Sequence, residues 1–257
     1  MVTDSPLDKT SLTVLSIEDD FNFSCHKGLN CFNSCCTNIN LYLTPYDIIR
    51  MKKRLGISSE EFLQTYTIPM FMKEIGHPVV IVRMTDDMKK SCPFVSKQGC
   101  TIYEDRPWSC RMYPLDPLIH RSDEASSEKH RFTIINNKNC QGFHSTKKQT
   151  VRKWIETQNT ALYVKMMNLW AEVTLHPKME VIEYLDETQQ SFFHTASFNI
   201  DGFRELVLKS DFLDTFDIDK KLLTRIKKDD VELMKFGFQW LKHVLFGENT
   251  VKRKNRR

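Results

Sequence analysis

All eight cysteines of this 257-residue chain lie between Cys25 and Cys140, and none follows. The first group reads Cys25-x5-Cys31-x3-Cys35-Cys36. The second reads Cys92-Pro-Phe-x5-Cys100-x-Ile-Tyr-x2-Arg-Pro-x2-Cys110-Arg-x-Tyr-Pro114, and Cys140 stands apart. Thiolates are the soft ligands that zinc and iron–sulfur clusters prefer, and both commonly take four of them. Seven of the nine prolines fall in the same stretch, residues 21–144, which reads as loop-rich. Long loops in a compact domain need internal support, and ligation of a metal supplies it. The expectation is a metal centre built from Cys25, Cys31, Cys35, Cys36, Cys92, Cys100, Cys110 and Cys140. Two other readings of the cysteines exist, buried small hydrophobes and disulfides. Core cysteines would not be expected to gather in half the chain beside Gly, Pro and Arg.

The disulfide reading depends on compartment. Met1 to Ser16 carries acidic residues and has neither a basic n-region nor an apolar h-region, so no secretory signal is read. No apolar run approaches the ~20 residues of a membrane span. The expected location is cytoplasmic, where thiols stay reduced. The net charge of +4, from 37 basic and 33 acidic side chains, is no nucleic-acid signature. Five of the seven residues from Val251 to Arg257 are basic. They read as a frayed, solvated tail, with a weak contact to RNA or an acidic partner as the sharper alternative.

The fold class expected is α+β. It comprises a polar lead-in (1–20), a cysteine-cluster domain with short strands and helices (21–144), an all-helical region (145–248) and the basic tail (249–257). Thr44, Pro45, Asp47 and Gly56 bracket one helix, and Ser58 or Ser59 starts another. Val79–Met84 and Arg131–Ile135 read as strands, the second with a partner through Leu118–Arg121 and a loop over 122–129. Lys147 to Leu175 reads as a single long helix, with Trp154, Ala161, Leu162, Met166, Leu169 and Trp170 as buried candidates. Asp201–Leu213 and Asp229–Phe246 read as two more helices.

One turn of helix between Cys31 and Cys35 would put both thiolates on one face. Adjacent Cys35 and Cys36 point different ways, so they suit two neighbouring metals or a polynuclear cluster better than one zinc. One of them could equally be a non-ligating thiol. His26, His120, His130 and His144 are further possible ligands. Four thiolates on one divalent zinc leave a net charge of −2, which Arg106 or Arg111 could offset.

Cys31-x3-Cys35-Cys36, Leu43-Thr-Pro-Tyr-Asp-Ile48, Cys92-Pro-Phe94, Gly99-Cys-Thr-Ile-Tyr-Glu-Asp-Arg-Pro107 and Cys110-Arg-Met-Tyr-Pro114 resemble the YkgJ-type cysteine-cluster family of zinc- or iron-chelating domains. The resemblance covers residues 21–144. It implies metal chelation, with zinc or an iron–sulfur cluster as the cofactor and no assigned reaction. One member of this group is similar to flagellin lysine N-methylase. That makes S-adenosylmethionine-dependent lysine methylation an alternative, beside iron–sulfur redox chemistry. No G-x-G nucleotide loop is found here. No catalytic residue, partner or substrate is read from the sequence.

Overall fold

The computed structural model describes residues 13–72, 75–118, 131–135, 137–181 and 185–254. It is a mixed α+β structure with short strands and a helical C-terminal region. None of its described helices is long and apolar enough to cross a membrane. The chain divides into two compact units, Met1–Leu41 with Met84–Val164 and Tyr42–Arg83 with Lys165–Arg257. All eight cysteines fall in the first. The cysteine-free stretch Tyr42–Arg83 clusters with the C-terminal helices.

The first unit is made of small antiparallel pairings. Arg131–Ile134 lies between Val14–Leu15 and Leu115–Leu118, and Asp20–Asn22 pairs with Lys148–Thr150. The described partner of the Arg131 strand is Leu115–Leu118, and the expected stretch 119–121 lies outside the described residues. The anticipated loop over 122–129 lies outside the described residues. An aromatic core ties these pieces together. Phe23 meets Trp154, Tyr113 and Phe143 at ring-centroid distances of 5.5, 5.8 and 5.3 Å. The Phe23–Trp154 and Phe23–Tyr113 pairs are edge-on, the arrangement that ring quadrupoles favour.

In the second unit the expected capping signals operate. Helix Pro45–Leu55 starts at a capping box, in which Asp47 N–H donates to the Thr44 hydroxyl and Thr44 N–H to the Asp47 carboxylate. It ends at Gly56 in the left-handed conformation, φ 70°. Ser58 caps helix Ser59–Tyr66, which leads into the hairpin of Thr67–Met72 with His77–Val82. Helices Glu187–Ser197, Ile200–Lys209 and Asp230–Phe246 bury Phe193, Phe203, Met234, Phe238 and Leu241. A Cβ at Gly237 would meet the Ala196 carbonyl at 2.7 Å, so a helix backbone approaches there at a distance only glycine permits.

Two expectations are corrected. The single helix over 147–175 is interrupted. Lys148–Thr150 is a strand, Val151–Thr157 is one helix and Ala161–Thr174 another. The break falls at Asn159, whose φ of 55° is left-handed. At this break the Gln158 carbonyl accepts from Arg111 at 2.8 Å instead of continuing a helical ladder. Of the predicted stripe, Met166 and Trp170 are buried, while Leu162 is 46% exposed. The tail is also not frayed as far as Lys254. Val251 is buried, and Lys252–Arg253 pairs with Phe216–Asp217. Lys254 N–H then donates to the Thr215 carbonyl at 2.9 Å. Residues 255–257 lie outside the described residues.

Candidate metal centre

Four separated stretches carry the thiols, and local hydrogen bonding explains how each is presented. From His26 the chain makes successive tight turns. Leu29 N–H donates to the His26 carbonyl, Phe32 N–H to Leu29, Ser34 N–H to Cys31 and Cys36 N–H to Asn33. Asn33 is left-handed, φ 70°. A regular helical turn from Cys31 to Cys35 is therefore replaced by turns that end in the 3-10 segment Ser34–Cys36. The Asn33 amide donates to the Ser96 carbonyl at 2.9 Å and ties this run to the second cysteine group.

The second stretch is set by Asp87, whose carboxylate accepts from Lys89 and Ser91 N–H, both at 3.0 Å. Cys92 N–H then donates to the Cys36 carbonyl at 2.7 Å, next to an antiparallel bridge between Thr37 and Ser91. The hairpin Val95–Ser96 with Gly99–Cys100 sets Cys100 opposite Val95. Gly99 turns it at φ 108°, and a Cβ there would press on the Phe32 ring at 3.2 Å.

Cys110 sits in the short helix Trp108–Met112, held by two buried arginines. Arg106 lies over the Tyr103 ring at 3.8 Å and donates to the Tyr103 carbonyl and the Gln158 side chain. Arg111 donates to the carbonyls of Arg106, Gln158 and Glu104. Arg111 therefore works as a bracket between the Cys110 helix and the Asn159 turn. The Arg106 charge also opposes the upward push of burial on Cys100, and Cys110 lies within its field. Of the two arginines expected to offset thiolate charge, Arg106 is the one whose charge acts on Cys100.

Cys140 arrives on the fourth stretch. Ser24 N–H donates to the Gly142 carbonyl at 3.0 Å, Asn30 N–H to the Gln141 side chain at 3.1 Å, and Gln141 N–H to Cys31 Sγ at 3.2 Å. Gly142 is required here, because a Cβ would lie 2.6 Å from the Phe23 ring.

All eight are reduced thiols, and each retains some solvent exposure. They perturb one another. Burial, then Cys35, Cys140 and Cys31, pushes the Cys25 thiol up to about 11. The Cys36 thiol hydrogen-bonds that of Cys35 and brings it down to about 7. The same bond, with burial and the thiols of Cys35, Cys110 and Cys92, drives Cys36 steeply up. Apart from Cys36, whose thiol favours ionisation of Cys35, the neighbouring thiols oppose ionisation of Cys25 and Cys36, a penalty that a bound cation reverses. Among the described residues no three Cys, His, Asp or Glu side chains already converge on one point, so gripping an ion requires side-chain rotation.

Among these cysteine-bearing stretches the buried polar atom without a match, among the described residues, is on Tyr113. The Tyr113 hydroxyl is buried with no partner of good hydrogen-bond geometry among the described residues. The polar group beside it is the Cys140 thiol, and burial and that thiol, followed by Cys35 and Cys25, push Tyr113 far up. A protonated phenol aimed at thiols is a donor awaiting a negatively charged sulfur. The sequence reading passed over Tyr113, whose only signal was its place two residues beyond Arg111 in the last motif. Of the histidines, His26 Nδ1 accepts from Gly28 N–H at 3.2 Å, and His144 is exposed. His120 and His130 lie outside the described residues.

Residues 24–141 match the family model described as CxxCxxCC, a putative zinc- or iron-chelating domain. No curated protein and no solved structure matches the chain. The resemblance to flagellin lysine N-methylase therefore draws no support from them.

Proposed function

We propose that the segment 24–141, which belongs to the cysteine-cluster family of zinc- or iron-chelating domains, holds its metal through thiolates of Cys25, Cys31, Cys35, Cys36, Cys92, Cys100, Cys110 and Cys140. The observation that carries this reading is the gathering of eight reduced thiols from four stretches into one compact unit. The orphaned Tyr113 hydroxyl and the Arg106 guanidinium support it, since both offer positive charge or a proton to anionic sulfur.

Bound zinc would staple the loops, and bound iron–sulfur would add electron transfer. The protein's own contribution is to hold the donors. The turns from His26 to Cys36 and the Asp87 cap present thiols on short tethers. The Arg111 bracket fixes the Cys110 helix. Tyr113 donates to the Cys140 sulfur once that sulfur is anionic. The contact between the adjacent Cys35 and Cys36 thiols favours a polynuclear iron–sulfur centre over one isolated zinc. Reduced thiols in this number suit a reducing compartment.

Metal analysis of protein purified without oxygen tests the proposal. A brown sample that bleaches in air identifies iron–sulfur, and a colourless sample with stoichiometric zinc identifies zinc. Protein with neither metal, and without affinity for either on addition, refutes metal chelation.

A further inference from the structure

We propose that the C-terminal helices hold a further binding site, a cleft that takes one small, uncharged and mainly apolar molecule. The cleft has a volume of about 490 Å³, inside the range of about 300–1,000 Å³ usual for small-molecule sites. All of its lining residues lie in the cysteine-free second unit, and metal binding plays no part in it.

The walls are pinned by contacts of their own. Helix Asp230–Phe246 supplies Phe236 and Phe238, both buried, together with the Gln239 side chain. Helix Lys220–Ile226 supplies Leu222, and its start is fixed by Asp219, whose carboxylate accepts from Lys221 and Leu222 N–H at 2.9 and 3.1 Å. The remaining wall comes from the tail that composition assigned to solvent. The Thr250 hydroxyl donates to the Gln239 carbonyl at 2.6 Å, Val251 is buried, and Lys252 pairs with Asp217 along the backbone. A cleft formed in advance asks little ordering of the protein when a ligand enters.

The lining sets the chemistry of the ligand. Leu169, Ile218, Leu222, Phe236, Phe238 and Val251 make its apolar part. Arg225, Lys235 and Lys252 stand against Asp217, Asp219 and Glu232, so the charged lining has no net sign to draw an ion. Glu232 takes two of the cations, Lys235 at 2.6 Å and Arg225 at 3.3 Å, and Lys252 lies 3.9 Å from Asp217. The Gln239 amide differs from these. It makes no hydrogen bond to a described residue, because the bond at that position uses the main-chain carbonyl. It offers a neutral donor and acceptor at an apolar wall, the group that would orient an uncharged ligand.

The test uses Nile red, an uncharged aromatic dye with a carbonyl group, added to the full-length chain as purified. Its emission is expected to rise, move to the blue and saturate at one equivalent. Leu222→Trp fills the cleft from a half-buried position and should weaken binding roughly ten-fold or more. Gln239→Leu keeps the wall apolar and should weaken binding about two- to ten-fold, the worth of one hydrogen bond. Circular dichroism melting checks each fold, and Ile218→Trp takes the place of Leu222→Trp if that chain does not fold. Anilinonaphthalene sulfonate, an anionic dye of similar size, should bind more weakly than Nile red. Absence of saturable Nile red binding, binding indifferent to either variant, or tighter binding of the sulfonate overturns the proposal. So does self-association, read by sedimentation velocity, that Leu222→Trp abolishes, since the cleft would then belong to a second copy of the chain.

Discussion

The Tyr113 hydroxyl is buried beside the Cys140 thiol and has no partner of good geometry among the described residues. In the metal-free protein the only neighbour offered to that hydroxyl is a neutral thiol, a weak acceptor. With metal held by a Cys140 thiolate, as proposed, the same hydroxyl would donate to an anionic sulfur. Tyr113→Phe should therefore leave the metal-free melting temperature unchanged or raised. Metal affinity should fall by roughly ten-fold or more, since hydrogen bonds to charged groups are worth about 1.5–3 kcal/mol. Competition with a chromogenic chelator reads the second effect, and an unchanged affinity would remove Tyr113 from the centre.

The Cys35–Cys36 contact has a consequence for reactivity. Cys35 is held down to about 7 by the Cys36 thiol, whereas Cys25 is pushed up to about 11. A depressed thiol is protonated below its own pKa and anionic above it, and only the anion alkylates quickly. In metal-free protein, iodoacetamide should modify Cys35 with a rate that rises through about pH 7. Cys25 should lag until far more alkaline conditions, and peptide mass spectrometry distinguishes the two. Replacement of the partner, Cys36→Ala, should shift the Cys35 profile to higher pH.

Gly142 and Phe23 meet without room for a side chain, the Cβ position lying 2.6 Å from the ring. Gly142→Ala should destabilise the metal-free protein by about 1–3 kcal/mol, the usual cost of overpacking. The Cys140 stretch should be displaced with it, so metal affinity falls as well. Chemical denaturation with and without metal separates the two effects.

Arg111 spends its donors on the carbonyls of Arg106, Gln158 and Glu104. A lysine retains the charge but cannot reproduce this planar fork. Arg111→Lys should lose about 1–3 kcal/mol, since buried carbonyls are left unpaired. Equal stability by urea denaturation would show that charge alone mattered.

In the second unit, Lys52 lies 2.9 Å from Asp201 and 3.0 Å from Asp230, with Asp230 also paired to Arg204. Lys52 is 8% exposed. Lys52→Met takes the ammonium from Asp201, while Asp230 keeps Arg204, and should cost about 1–3 kcal/mol at neutral pH, since both carboxylates are partly exposed. The loss should shrink on acidification, as the Asp201 carboxyl, held against the upward pull of burial below its ordinary range by the Ser59 N–H and Lys52, takes up its proton. A pH-independent loss would point to packing instead.

Local chemistry was legible in the sequence where a single segment decides its own structure. The Thr44 cap, the Gly56 stop and the strand read at Val79–Met84 and found at His77–Val82 depend on backbone groups a few residues away. The cysteine spacing and the motifs that resemble the YkgJ-type family likewise pointed to chelation without any knowledge of the fold. Where a distant group intervened, the reading failed. The periodicity over 147–175 suggested one helix, but Arg111, far back in the chain, takes the Gln158 carbonyl at the Asn159 break. The tail looked frayed because its charges suit water, yet its backbone pairs with Phe216–Asp217.

By itself, then, the sequence determined that thiols would be concentrated and what kind of ligand they could hold, because donor softness belongs to the residue type. Only the tertiary structure decided which thiols are neighbours. Cys140 reaches Cys31 across more than a hundred residues through the Gln141 backbone N–H, and Cys92 reaches Cys36 through a carbonyl. Those partners are chosen by backbone hydrogen bonds and by the fit of Gly142 on Phe23. Such contacts exist only after the chain has closed on itself, and residue spacing does not encode them.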